Sequence, residues 1–193
     1  MTKGRVEAFS DGVIAILITI MILDLRMPHG SDLLALRPVV PHFLSYLLSF
    51  VFLGIYWNNH HHMFHAVRHV TGTALWANLH LLFWLSLVPL VTGWIGENGT
   101  DAIPTAAYGV VLLCCAISYT VLQAVLIRHD PHAALASAVG SDTKGKISLA
   151  LYISAIPLAF VSTMISDLIY VAVALLWLVP DRRIESRLSL IHI

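Results

Sequence analysis

The chain has 193 residues, 58% of them hydrophobic and only 11% charged, with a mean hydropathy of +0.82. A soluble domain carries roughly 25% charged residues, so this composition leaves too little polar surface for a water-soluble fold and places the chain in the membrane class. Eleven basic and eleven acidic residues balance to zero, which gives nucleic-acid binding no electrostatic footprint.

The first apolar run covers residues 5–26. Lys3 and Arg5 give it a positive start, as in a signal peptide. Glu7 and Asp11 interrupt the run, and no small-x-small cleavage site precedes Asp24, so a retained helix is expected. Further apolar segments lie at 38–65, 74–96, 104–127, 145–164 and 166–180. Crossing the hydrocarbon core takes about 20 helical residues, with some tolerance for tilt. The last two segments form one stretch from Ile147 to Val179, interrupted by Ser166 and Asp167. As a single helix it would be about 50 Å long, too long for one crossing. A tight turn at Asp167 is therefore expected. The connections are short and polar, and Arg128 to Lys144 is the longest.

Charge supports an even number of spans. Lys3, Arg5, Arg68, Arg128, Lys144, Lys146, Arg182, Arg183 and Arg187 fall in alternate loops, whereas the opposite side has only Arg26 and Arg37. The positive-inside rule then places both termini in the cytoplasm. The expected fold is all-α: one domain over 1–193, an integral membrane protein with six transmembrane helices per subunit. Cys114 and Cys115 are adjacent within an apolar run and read as small core residues rather than a disulfide or zinc framework.

Chemistry-bearing residues concentrate in three places. In the first segment, successive helical residues turn by about 100°. Ile20 and Leu23 fall within about 40° of Ile16, Thr19 lies about 60° to one side, and Asp11 lies about 140° away. One face is thus a branched-aliphatic stripe, and another carries a carboxylate that needs partners at membrane depth. On periodicity alone the stripe is equally compatible with lipid contact or core packing. The second segment ends in Tyr56-Trp57-Asn58-Asn59-His60-His61-His62-Met63-Phe64-His65-Ala66-Val67-Arg68-His69. His61, His65 and His69 recur at i, i+4 and i+8, so a histidine-bound metal enzyme is the reading from a different functional class. Membrane oxygenases use several separated histidine boxes, whereas here there is one cluster plus His80 and no carboxylate set. Hydrogen bonding to Asp11, Ser10, backbone or interfacial water is the expected role, with no metal and no catalytic residue. In the third segment, Asn78 is expected to tie helices together. No Gly-x-Ser-x-Gly, His-Glu-x-x-His or phosphate-binding glycine loop is present.

The opening Arg5-x-x-x-Phe9-Ser10-Asp11-Gly12 resembles the signature of the transmembrane protein 175 family of potassium channels. The similarity continues through Trp57-x-x-His60-His61-x-x-Phe64, Asn78-Leu79 and Ser86-Leu87-x-Pro89, covering the first three helices; Ile14 stands where many members have an aromatic residue. The resemblance implies a bacterial plasma-membrane homotetramer, self-assembled in the bilayer around a central pore. It implies a pore lined by the first helix, with K+ as the permeant ion, no cofactor and no carbonyl filter. The constriction would be Ile16, Ile20 and Leu23, and Ile16 and Thr19 would set ion preference. Arg5, Ser10 and Asp11 would face away from the pore, holding the first helix against Trp57, His60 or His61, and Asn78, with Phe9 part of the same motif network. Proton or non-selective cation permeation is the alternative within this architecture. Thr92-Gly93-Trp94-Ile95-Gly96 is faintly similar to a carbonyl filter, but it closes a full-length helix and is not expected to form one.

Overall fold

The computed structural model describes residues 2–25, 27–98, 101–130, 134–140 and 142–178. Among them every regular element is helical. Helix α1 (Lys3–Ile20) tightens into a 3-10 turn over Met21–Asp24, and together they make a 22-residue apolar span. A second 3-10 turn, Leu33–Leu36, is capped by the Asp32 carboxylate on Ala35 N. Helix α2 (Val40–His65) has Pro41 in its first turn, where the missing N–H has no intrahelical role to lose. The remaining helices are α3 (Gly72–Ser86), α4 (Val88–Asn98), α5 (Ala102–His129), the short α6 (Ala134–Val139), α7 (Thr143–Leu158) and α8 (Thr163–Leu178).

Two features depart from the sequence expectation. The third segment is two helices, α3 and α4, broken at Leu87. Pro89 cannot donate to Leu85 and its ring crowds that carbonyl, so the Leu87 N–H turns back to Trp84 O at 3.2 Å in a tighter 3-10 bond. The two pieces still form one continuous 27-residue apolar span, Gly72–Asn98. The final apolar stretch does divide, but not at Asp167. Pro157 ends α7, and the chain reverses over residues 159–162 through Phe160 N to Pro157 O (3.2 Å) and Val161 N to Leu158 O (2.9 Å). Asp167 is instead inside α8. Ser166 beside it is fully buried and donates to Ala155 O at 2.8 Å, so its hydroxyl fastens the α7–α8 hairpin. The expected 166–180 segment extends past 178, and its end lies outside the described residues, as do Arg26, Arg182, Arg183 and Arg187. Among the described residues, four spans are long and apolar enough to cross a bilayer, with α8 a shorter apolar helix.

Helix α3 packs on α5, α5 on α7, α2 on α4 and α8, and α1 on α2 and α3. Small and polar residues set these contacts, as suits helices that cannot rely on water to drive them together. Thr92, Ser49 and Tyr108 join α4, α2 and α5 through hydroxyl contacts of 2.6 and 2.9 Å. Residues 92–96 are thus helical, within α4. Gly109 on α5 lies under the Tyr170 ring, whose hydroxyl donates to Thr105 O at 3.0 Å. At one end of the bundle, Lys3 donates to Val67 O at 3.1 Å and Arg68 N to Asp130 Oδ2 at 3.3 Å. The starts of α1 and α3 and the ends of α2 and α5 therefore lie together.

Candidate functional site: the first helix and its anchor

Helix α1 has two sharply different sides. Val6, Ser10, Ile14, Leu17 and Met21 are buried, and they recur every three or four residues. Helical geometry puts all five in an arc about 80° wide. Ile14 is completely enclosed, so an aliphatic residue fills the core where the family pattern often has a ring. On the other side Phe9, Ile16, Ile20 and Leu23 are 52%, 62%, 46% and 79% exposed, and Ala8, Gly12, Ala15 and Thr19 lie between them. The Ile16–Thr19–Ile20–Leu23 stripe is therefore left uncovered by the described residues of its own subunit.

Thr19 has a particular geometry within that stripe. Its hydroxyl donates to the carbonyls of Ala15 (2.9 Å) and Ile16 (3.0 Å) on its own helix. With the proton turned inward, the oxygen lone pairs face away from the backbone. This is the orientation in which a hydroxyl can accept from water or coordinate a cation.

The polar side of α1 is bonded to two other helices. Trp57 Nε1 on α2 donates to Asp11 Oδ1 at 3.0 Å. Asn78 Nδ2 on α3 donates to Ser10 Oγ at 2.9 Å, and Ser10 Oγ donates to Val6 O at 2.9 Å. His60 Nε2 on α2 lies 2.8 Å from Asn78 Oδ1. Because the Asn78 amide spends its donor on Ser10, its oxygen must accept from His60, which puts the imidazole proton on Nε2. The result is one directional chain from His60 through Asn78 and Ser10 to the α1 backbone. Ser10, His60 and Asn78 are at most 2% exposed, so these bonds are shielded from water. His60 also stacks on Phe64, with ring centroids 4.5 Å apart.

The other named residues occupy different places. Arg5 is exposed, and among the described residues its side chain makes no hydrogen bond or ion pair. It lies about 20° from Ile16 around the helix, on the uncovered side with Phe9. The expectation that Arg5 faces away with Ser10 and Asp11 is therefore corrected, because a first-turn cation at the bundle end reaches water; Phe9, expected in the same network, is 52% exposed on the uncovered side. His61 stacks on Trp57 with centroids 6.3 Å apart and meets the His65 ring at a 53° tilt, 4.8 Å away. Helix α2 ends at His65, so His69 leaves the face that a continuous helix would have given it. His80 accepts from Trp84 Nε1 at 3.0 Å. Among the described residues no group of three His, Cys, Asp or Glu side chains is placed to hold a metal ion.

Sequence reasoning missed two contributors. Lys3 reaches the carbonyls of His65 and Val67, a cation at a helix C-terminus. Glu7, which in the sequence only interrupts an apolar run, buries Oε1 with no partner among the described residues, as does His60 at Nδ1. Such orphan acceptors have no signature in a one-dimensional pattern.

The family model described as "Endosomal/lysosomal potassium channel TMEM175" matches residues 5–89, the part holding α1, α2 and α3. A potassium channel of Chryseobacterium sp. (strain P1-3) is 51% identical over 190 residues, covering 98% of this chain and 99% of that one. The TMEM175 proton channel of Gallus gallus is 39% identical over 102 residues, which is 47% of this chain and 20% of that much longer one. Among solved structures, the crystal structure of a lysosomal potassium-selective channel TMEM175 homolog from Chamaesiphon minutus superposes with a TM-score of 0.77 at 27% identity, covering 93% of this chain and 97% of that chain. Identity along nearly the whole length and a shared architecture lead to one conclusion: the chain belongs to the TMEM175 family, a family of membrane ion channels rather than enzymes.

Proposed function

We propose that this chain is one subunit of a homotetrameric potassium-selective channel of the bacterial inner membrane, both termini cytoplasmic, with α1 lining the pore. The observation that carries this reading is the uncovered stripe of Ile16, Thr19, Ile20 and Leu23 on a helix whose opposite side is tied to α2 and α3. Four copies bringing this stripe to a common axis enclose a passage between them. A ring of isoleucine and leucine side chains closes such a pore by excluding water. A modest outward tilt of four helices lets water in. Ions that cross the ring must shed part of their hydration, and potassium sheds water more readily than sodium. The outward-facing oxygen of Thr19 replaces part of what is lost. Relatives named as potassium channels support the choice of ion.

Reconstitution into liposomes tests the assignment. Ile16→Asn makes the ring polar and raises potassium flux several-fold; Thr19→Val lowers the potassium-to-sodium ratio. Wild-type flux and selectivity in both variants would remove α1 from the pore. A second reading, proton permeation, is favoured by the vertebrate relatives named as proton channels. Dissipation of a pH gradient in potassium-free liposomes, changed by the same Ile16 substitutions that alter potassium flux, would establish it.

A further inference from the structure

We propose that a groove between α2 and α8, bordered at its head by α4 and α5, binds one phosphatidylethanolamine molecule per subunit, with the lipid ammonium on Asp167. The groove has a volume of about 800 Å³, at the upper end of what small-molecule sites reach. It begins where α2 and α8 begin: His42 lies against Gly96 near the end of α4, and Tyr170 bonds to Thr105 at the start of α5. From Asp167 it passes Val171 and Ala174 to Leu178 on α8, and it passes Leu48 to Val51 on α2. Asp167 to Leu178 is about 16 Å at 1.5 Å per residue, close to half of the roughly 30 Å hydrocarbon core. An apolar channel one leaflet long, with a carboxylate at its head, has the proportions of a lipid.

The polar groups at the head are unanswered within the chain. Asp167 sits one helical turn inside α8, and among the described residues its carboxylate has no hydrogen bond or ion pair. An ionisable group at membrane depth ordinarily finds a partner. His42, on the same wall, buries Nε2 with no partner among the described residues. Arg37 immediately precedes the rim residue Pro38; it is exposed, and its side chain likewise has no bond among the described residues. Glu97 also borders the head but is already engaged, so recognition rests on Asp167. A carboxylate and a guanidinium that do not pair with each other stand at one opening. That suits a head carrying both signs: a primary ammonium for Asp167 and a phosphate for Arg37.

Other occupants fit less well. An anionic amphiphile brings its charge against Asp167. A bare cation meets one carboxylate among apolar walls and loses more hydration than it regains. A trimethylammonium head has no N–H to donate to the carboxylate or to His42. Leu44, Leu175 and Leu178 on the walls are 57%, 58% and 52% exposed, so the groove opens along its side and a lipid enters from the bilayer. A second copy of this chain would bring its own Arg37 to Asp167, and the test separates that case.

The test uses the full chain as it assembles in detergent, titrated with lipid and read by native mass spectrometry. Phosphatidylethanolamine should bind saturably, one per subunit, and more tightly than phosphatidylcholine or phosphatidylglycerol. Asp167→Asn keeps the shape and removes the charge, and should weaken binding about tenfold or more, the loss of one charge-assisted hydrogen bond. Val171→Trp fills the groove and should abolish binding, whereas Leu168→Trp, on an exposed part of α8 outside the walls, should bind as wild type. A phosphatidylethanolamine carrying a photoreactive group on its acyl chain should label the α2 and α8 segments that line the groove. Lipid binding is read without any flux measurement, so its outcome is independent of the pore assignment. Equal affinity for phosphatidylcholine, wild-type affinity in Asp167→Asn, or labelling confined to other helices overturns the proposal. Loss of the oligomer in Asp167→Asn and Arg37→Gln, with no lipid held by the wild type, overturns it in favour of a second copy as the occupant.

Discussion

Asn78 is the keystone of the α1 anchor, and replacing it with leucine should cost the subunit about 2–4 kcal/mol. The magnitude comes from the groups that each lost bond leaves behind. Interhelical hydrogen bonds in membranes contribute about 0.6 kcal/mol on average and up to about 1.7. Asn78 makes two of them, at 2.8 and 2.9 Å. Ser10 loses a donor but keeps its own bond to Val6, so its share is small. His60 is worse placed: its Nε2–H is stranded in a site 1% exposed, and its Nδ1 already lacks a partner. Stranding a buried donor costs about 1–3 kcal/mol. Denaturation in mixed micelles measures the sum. The double variant His60→Phe with Asn78→Leu adds the sharper test, because removing both partners removes the orphan while a phenyl ring retains the stacking on Phe64. The double variant should recover most of the loss, to within about 1 kcal/mol of wild type. A single-variant cost below about 0.5 kcal/mol, or a double variant less stable than the single, would refute the hydrogen-bond account.

Asp11→Asn preserves an acceptor for Trp57 Nε1 and should assemble nearly as wild type, whereas Asp11→Ala removes it and should reduce tetramer yield on native gels; equal yields would show the Trp57 bond to be dispensable. Gly109→Ala pushes a methyl group into the Tyr170 ring and should destabilise the subunit by about 1–3 kcal/mol, read as a lower melting temperature that Tyr170→Leu partly restores.

The spans were legible because a bilayer imposes length and apolarity on any helix crossing it. The stripe was legible because the helical period is fixed, so Ile16, Ile20 and Leu23 had to align. The same wheel already placed Arg5 beside Ile16. Grouping Arg5 with Asp11 treats every ionisable residue as deeply buried, but a first-turn arginine stays in water while Asp11, two turns in, meets Trp57. At the last hairpin, Ser166 and Asp167 suggest a break because polar residues often mark turns. Pro157 carries the stronger backbone constraint. Ser166 finds its partner in the Ala155 carbonyl, and no side-chain pattern announces a backbone acceptor eleven residues away. The Leu87 kink has a cue in Pro89, outweighed by the unbroken hydropathy across it.

The anchor and the stripe occupy opposite ends of α1 as well as opposite sides, which has a mechanical consequence under the proposed pore assignment. The bonds that fix α1 lie between Lys3 and Asp11, while Ile16 to Leu23 extend beyond them. Leu23 stands about 20 Å from Ser10 along the axis at 1.5 Å per residue. A tilt of about 10° pivoting at the anchor therefore carries Leu23 sideways by about 3 Å with no anchor bond broken. The free end is also where α1 meets α4: a Cβ built at Gly93 would lie 3.5 Å from Asp24 Oδ2 and 3.9 Å from its Cγ. Cysteines at these two positions are close to disulfide range, for which Cβ atoms lie about 3.5–4.5 Å apart. In a background lacking Cys114 and Cys115, Asp24→Cys with Gly93→Cys should lose most of its potassium flux on oxidation and regain it on reduction. Either single cysteine should be insensitive to both treatments. If the oxidised double variant conducts as well as the reduced one, the far end of α1 does not move against α4 during opening, and the pore must widen by a rotation about the helix axis instead.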